Sequence, residues 1–124
     1  MIYIIIPVHN RKKFTRQCLL SLSQQTYKDF KVVVVDDGST DGTGEMLEKE
    51  FPEVYVIKGD GNLWWTGAIN EGLKYVLKYC VDDDLALLLN DDLIVEKDYI
   101  YKIVEFHKNF PNTIIGSVEV LTTN

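Results

Sequence analysis

Leu87-Leu88-Leu89-Asn90-Asp91-Asp92 runs an apolar stretch straight into two adjacent carboxylates. Read as a β-strand, the leucines belong in a core and the acidic pair falls at its mouth. Two neighbouring ionised carboxylates repel, and at the edge of a core they cost free energy unless a cation or hydrogen-bond donors offset the charge. The stretch therefore implies a partner. A divalent metal carrying phosphate oxygens meets the requirement, because hard cations prefer oxygen ligands.

The leucine run is one of five short apolar or β-branched runs, at residues 2–6, 31–35, 54–57, 85–89 and 113–118. None alternates strictly with polar residues, which is the pattern of strands covered on both faces and so of a parallel sheet. Between them Phe14, Cys18, Leu19 and Leu22 repeat at helical spacing, as do Trp65, Ile69, Leu73, Val76, Leu77 and Cys80, and then Ile100, Ile103, Val104 and His107. A shorter helix is expected over 42–50, ahead of Pro52. The alternation predicts a doubly wound α/β fold, a mainly parallel sheet with right-handed crossovers and helices on both faces. At 124 residues the chain makes one domain.

Composition excludes several function classes. A formal charge of -6 and a pI near 4.8 speak against a nucleic-acid partner or an anionic membrane surface, which call for clustered Lys and Arg. The apolar opening Ile2 to Ile6 lacks a basic leader and ends at Pro7, so it reads as a strand rather than a signal peptide. No run approaches transmembrane length. Cys18 and Cys80 sit in helical patterns among apolar residues and read as reduced core thiols, which points to a cytoplasmic address.

In a doubly wound sheet, ligands bind at the carboxyl ends of the strands. Those positions are rich here: Pro7-Val8-His9-Asn10-Arg11, Asp36-Asp37-Gly38-Ser39-Thr40-Asp41-Gly42, Lys58-Gly59-Asp60-Gly61-Asn62 and Asn90-Asp91-Asp92. Ser39, Thr40 and Asp41 read as the opening of the next helix. At least one of Asp36 and Asp37 is expected to bind ligand, since a carboxylate there can accept a pyrimidine imino N–H or a ribose hydroxyl. The stretch from Gly59 to Ala68 joins a flexible loop to a helix start, where free N–H groups can receive a diphosphate, although no G-x-G-x-x-G or P-loop lysine is present. Trp65 is expected in the core by its periodicity, and Trp64 is left to offer its ring or N–H to a sugar. His107 reads as structural. His9 lies beside the cleft without ligands at zinc spacing. Arg11-Lys12-Lys13 reads as a solvated helix start from which Arg11 can reach a phosphate.

Taken in order, Ile4-Ile5-Ile6-Pro7-Val8-His9-Asn10-Arg11, Gln24-Gln25-Thr26-Tyr27, Val35 to Thr43 and Asn90-Asp91-Asp92 resemble the family 2 glycosyltransferases of the GT-A fold, over nearly the whole chain. Gly61-Asn62-Leu63-Trp64-Trp65-Thr66-Gly67-Ala68 also resembles the rhamnosyltransferase-like branch. The resemblance implies a Rossmann-like GT-A domain that transfers a sugar, with inversion, from a UDP- or dTDP-type donor to a glycan, lipid or protein acceptor in polysaccharide or related biosynthesis. It implies bound Mn2+ or Mg2+ held by Asp92 and Asp91, with Asp91 also on the ribose side. Pro7, Val8, His9, Asn10, Arg11, Asp36, Asp37, Gly61 and Asn62 would surround the nucleotide, and Trp64 and Thr66 the sugar. The sequence departs from the family at Asn90, where many members have a carboxylate, and at Ile69, where many have arginine.

An inverting transfer needs a general base, which in relatives follows the fifth strand. The expectation is that the base lies beyond Asn124. The chain would then be the donor half, truncated relative to full-length members, working at the inner membrane face, binding donor with little transfer and self-associating through uncovered apolar surface. A phospho-accepting receiver domain and a haloacid-dehalogenase-type phosphatase are disfavoured: the first places its acidic pair after the first strand, and the second needs Asp-x-Asp-Gly-Thr.

Overall fold

The computed structural model describes residues 1–117. The chain alternates β1 (Ile2–Val8), α1 (Lys12–Ser23), β2 (Phe30–Asp37), α2 (Thr43–Glu50), β3 (Tyr55–Gly59), α3 (Trp64–Tyr79), β4 (Leu85–Leu88) and α4 (Tyr99–Asn109). All pairings are parallel, in the order β3-β2-β1-β4.

The central strand β1 is buried almost throughout, and its side chains alternate between two apolar layers. Ile2, Ile4, Ile6 and Val8 pack with Cys18, Leu19 and Leu22 of α1, Met46 and Leu47 of α2, and Ile100 of α4. Tyr3 and Ile5 face the other way, with Val35 and with Ala68, Ile69 and Val76 of α3. A doubly covered sheet needs no polar alternation in its central strands, which is why the patterns of β1 and β2 read as they do. Gly72 lets α3 lie close: a Cβ there would stand 2.5 Å from Ile5 Cγ2. Cys18 is fully buried and Cys80 partly so, both as unpaired thiols, and burial pushes the Cys18 thiol up to about 12, which leaves it unreactive.

Two expectations fail. Residues 113–117 form no strand, and Val118 lies outside the described residues. Strand formation needs a sheet edge that supplies the ladder, and this run instead meets α4, where the Ser117 and Tyr99 hydroxyls are 2.8 Å apart; Ile114 is left 99% exposed. Trp65 is not a core residue but 53% exposed, because the buried stripe of α3 begins a turn later at Ala68 and Ile69. Among the described residues no helix is long and apolar enough to cross a membrane.

From β1 the chain steps outward through β2 to β3 and then returns to the opposite side of β1 for β4. The order reverses between β1 and β4, and a crevice at the carboxyl ends of two such strands is where an open α/β sheet binds ligands.

Candidate functional site

At that reversal lies a cleft of about 390 Å³ lined by Pro7, Val8, His9 and Arg11 after β1, Asp37 from β2, Gly61, Trp64, Trp65 and Ala68 from the β3–α3 segment, and Asn90, Asp91 and Asp92 after β4. Three of the four loops singled out in the sequence converge here, and the fourth contributes through Asp37.

Asp36 and Asp37 part company because neighbours on a strand point to opposite faces. Asp37, on the α3 side, accepts the backbone N–H of Gly61 at 2.8 Å, Leu63 at 3.0 Å and Trp64 at 3.1 Å. A carboxylate has about four acceptor positions, so roughly one remains for anything in the cleft. The capture shapes the loop: Gly61 sits at φ +96°, and Trp64 is held at φ +56°, a costly conformation for an aromatic residue. Asp36 lies on the α2 side, accepting the Ser39 N–H at 3.2 Å, and does not line the cleft.

The β1 loop is clamped to the β2 loop. Asn10, itself at φ +51°, donates its N–H to Ser39 Oγ (2.9 Å) and accepts the Thr40 N–H on Oδ1 (2.7 Å). Asp41 accepts the N–H of Lys12 at 3.0 Å and of Thr43 at 3.1 Å, tying the starts of α1 and α2 together. His9 Nδ1 donates to the Asp37 carbonyl, which fixes the ring at the cleft wall. Asn10, like Asp36, thus serves the loop scaffold, and the exposed Asn62 and Thr66 also fall outside the lining.

The acidic pair after β4 is treated differently. Asp91 is 5% exposed; its Oδ2 accepts the Thr15 hydroxyl at 3.4 Å and its Oδ1 faces Arg11 Nε at 3.7 Å. Asp92 is open to solvent and its Oδ2 lies 3.5 Å from Arg11 Nη2. The guanidinium itself rests 4.9 Å from the centre of the Phe14 ring. Burial raises the Asp91 carboxyl above its ordinary value, Arg11 opposes the rise, and the charge of Asp92 adds to it. Two carboxylates face one guanidinium, so negative charge is left in excess. Asn90 accepts the Trp65 indole N–H at 3.1 Å, which joins the start of α3 to the end of β4 across the mouth.

These donors fit a divalent cation. Arg11 already stands between the carboxylates as a cation, and the ligands on offer are hard oxygens. Among the described residues no group of three or more His, Cys, Asp or Glu converges, so a metal here would draw its remaining ligands from water and from a bound anion. That is the habit of Mg2+ and Mn2+ with phosphates.

Sequence reasoning missed Thr15 and Gln25 as supports. Thr15 is fully buried in the otherwise apolar face of α1, and a polar side chain in such a stripe signals a partner, here Asp91. Gln25 is also buried, donating to the Glu96 carbonyl (2.6 Å) and accepting the Ile100 N–H (3.0 Å), which fastens the segment after Asp92 to the end of α1.

Comparison with known proteins bears on the family and the fold. The chain is 36% identical over 114 residues to glycosyltransferase GlyA of Streptococcus pneumoniae, an alignment that takes in 85% of this chain and 15% of that protein. It is 30% identical over 119 residues to the uncharacterized glycosyltransferase YfnE of Bacillus subtilis, with 90% and 28% of the two chains covered. The fold matches residues 1–349 of TarS from S. aureus in complex with UDP, with a TM-score of 0.74 at 26% identity over 87% of this chain and 32% of that one. It also matches the mannosyltransferase PcManGT of Pyrobaculum calidifontis in complex with GDP-Man and Mn2+, with a TM-score of 0.73 at 20% identity over 86% and 32%, a likeness of fold. The chain thus spans less than a third of the length of these relatives. The sequence model of glycosyl transferase family 2 matches residues 3–121, and the chain belongs to that family.

Proposed function

We propose that this chain forms the donor-binding part of a sugar transferase, holding a UDP- or dTDP-sugar together with Mn2+ or Mg2+ for inverting transfer to a glycan, lipid or protein acceptor. The observation that carries the reading is the meeting of Asp91 and Asp92 with the Pro7 to Arg11 loop, across a cleft at the point where strand order reverses. The complex of TarS with UDP supports the nucleotide, and that of PcManGT with GDP-Man and Mn2+ supports only the pairing of a nucleotide sugar with a metal on this fold. Pro7, Val8 and His9 would flank the base and ribose, with the remaining acceptor position of Asp37 and with Gly61 on the far side. Trp64, 78% exposed beside the cleft, would face the sugar.

Asp92 and Asp91 would hold the metal, whose chemistry is to stabilise the charge that develops on the departing nucleoside diphosphate. No residue of the cleft is given the role of base. Asp37 is occupied by backbone amides and Asp91 and Asp92 face a cation, so none of these three carboxylates is offered as the base. Self-association through exposed side chains such as Leu77 (75%) and Ile94 (71%) belongs to the same reading and is read by sedimentation velocity. Calorimetric titration with UDP and with dTDP, in the presence and absence of Mn2+, tests the donor site: metal-dependent affinity for either is expected, and no affinity for both defeats the proposal.

A further inference from the structure

Arg11 occupies the position that the donor-site reading gives to a metal, and on that reading rests the following. We infer that Arg11 is a resident counter-ion that holds the Asp91 and Asp92 carboxylates while the cleft is empty, and that it must release them before a divalent cation binds, so that metal and nucleoside diphosphate enter cooperatively.

The atoms compete directly. Both oxygens of Asp91 are engaged, Oδ1 by Arg11 Nε at 3.7 Å and Oδ2 by the Thr15 hydroxyl at 3.4 Å. Asp92 meets Arg11 Nη2 with Oδ2 at 3.5 Å, and among the described residues its Oδ1 takes part in no hydrogen bond or ion pair. A metal arriving alone meets the lone pairs these contacts leave and a positive charge already between the two acids. The guanidinium repels it and shares its ligands, so the metal binds weakly until the guanidinium moves off. Arg11 and Asp92 are 43% and 44% exposed, so the ion pairs are easily exchanged rather than locked.

A diphosphate changes the balance. It brings negative oxygens to the cleft that Arg11 lines, and a guanidinium forks readily onto phosphate. Arg11 starts from the first turn beside α1, with its charge over Phe14, so it need not leave the cleft to change partners. The carboxylates it frees then become available to the metal, whose own charge the diphosphate also attracts. Each ligand thereby removes an obstacle to the other, and the coupling is reciprocal.

The test is calorimetric titration of the full chain with Mn2+ alone, and with Mn2+ in the presence of saturating UDP, for the wild type, Arg11→Gln, Arg11→Lys and the double variant Arg11→Gln/Asp92→Asn. Arg11→Gln is expected to bind Mn2+ alone about fivefold tighter, the scale of two half-exposed ion pairs, and to lose most of the further gain that UDP confers on the wild type. Arg11→Lys keeps the charge and is expected within about twofold of the wild type for Mn2+ alone. The double variant is expected to forfeit the fivefold gain, which places the metal at Asp92. Equal or weaker Mn2+ binding by Arg11→Gln overturns the inference, as does a gain that survives in the double variant. Should Arg11→Gln prove unfolded by circular dichroism, a fivefold gain in Arg11→Lys overturns it. Absence of UDP binding to the wild type instead defeats the donor-site reading and leaves the Mn2+-only comparison standing.

Discussion

Two pairs of adjacent aspartates end two strands of one sheet, and they meet opposite fates. Asp37 is buried and accepts three backbone N–H groups, while Asp36 serves the turn into α2. Asp91 accepts the Thr15 hydroxyl, and both Asp91 and Asp92 face a guanidinium. An anion satisfied by fixed amides shapes a loop, whereas one satisfied by an exchangeable cation remains open to chemistry. Asn10 and Arg11 mark the division within a single loop: the first clamps the Ser39–Thr40 segment, and the second reaches the acidic pair.

The sharpest break of this contrast is Asp37→Ala. Three hydrogen bonds to a buried charge vanish and the β3–α3 loop loses its anchor, so denaturant unfolding should register a loss of about 3 kcal/mol. A loss below about 1 kcal/mol would make Asp37 a ligand group rather than a scaffold.

Asn10→Ala comes next. It removes the Thr40 contact and puts alanine at φ +51°, and chemical denaturation should show a loss of about 1–2 kcal/mol with Mn2+ affinity unchanged. A change in metal affinity as large as that of Asp92→Asn would erase the division between the two neighbours.

Smaller still is Trp65→Phe, which keeps a ring at the mouth but deletes the indole donor to Asn90. A loss of about 0.5–1 kcal/mol is expected by thermal melting, and a neutral result would show that Asn90 is held by other means.

The smallest effect has the opposite sign. Burial raises the Asp91 carboxyl above its ordinary value of 3.8, so the folded state binds that proton more tightly than the unfolded chain. The stability this contributes is complete below the unfolded value and is lost as pH rises through the raised folded value. Asp91→Asn should therefore gain stability relative to the wild type as pH rises across that window, in metal-free buffer. A difference that is flat with pH would show that Arg11 fully offsets the burial.

The central strands were legible because burial on both faces leaves an uninterrupted apolar run, as in Ile2 to Ile6 and Val32 to Val35. Residues 113–117 misled because β-propensity carries no information about whether an edge is there to receive a strand. Trp65 misled because helical period says which residues share a stripe, not where the stripe outruns the sheet beneath it. The convergence of loops on one edge followed from topology alone. Which of Asp36 and Asp37 reaches the cleft depends on the strand's phase, and the meeting of Arg11 with the acidic pair is a contact across 80 residues that no local pattern encodes.

On the proposed function, the pair after β4 binds a nucleoside diphosphate through a metal while the pair after β2 builds the loop. Titration of UDP into the wild type and into Asp92→Asn, each with and without Mn2+, tests it most directly. Mn2+ is expected to strengthen UDP binding at least tenfold in the wild type and to have no effect in Asp92→Asn, whose thermal stability stays within about 0.5 kcal/mol of the wild type. UDP affinity that is the same with and without Mn2+, or an Mn2+ effect that persists in Asp92→Asn, would contradict it.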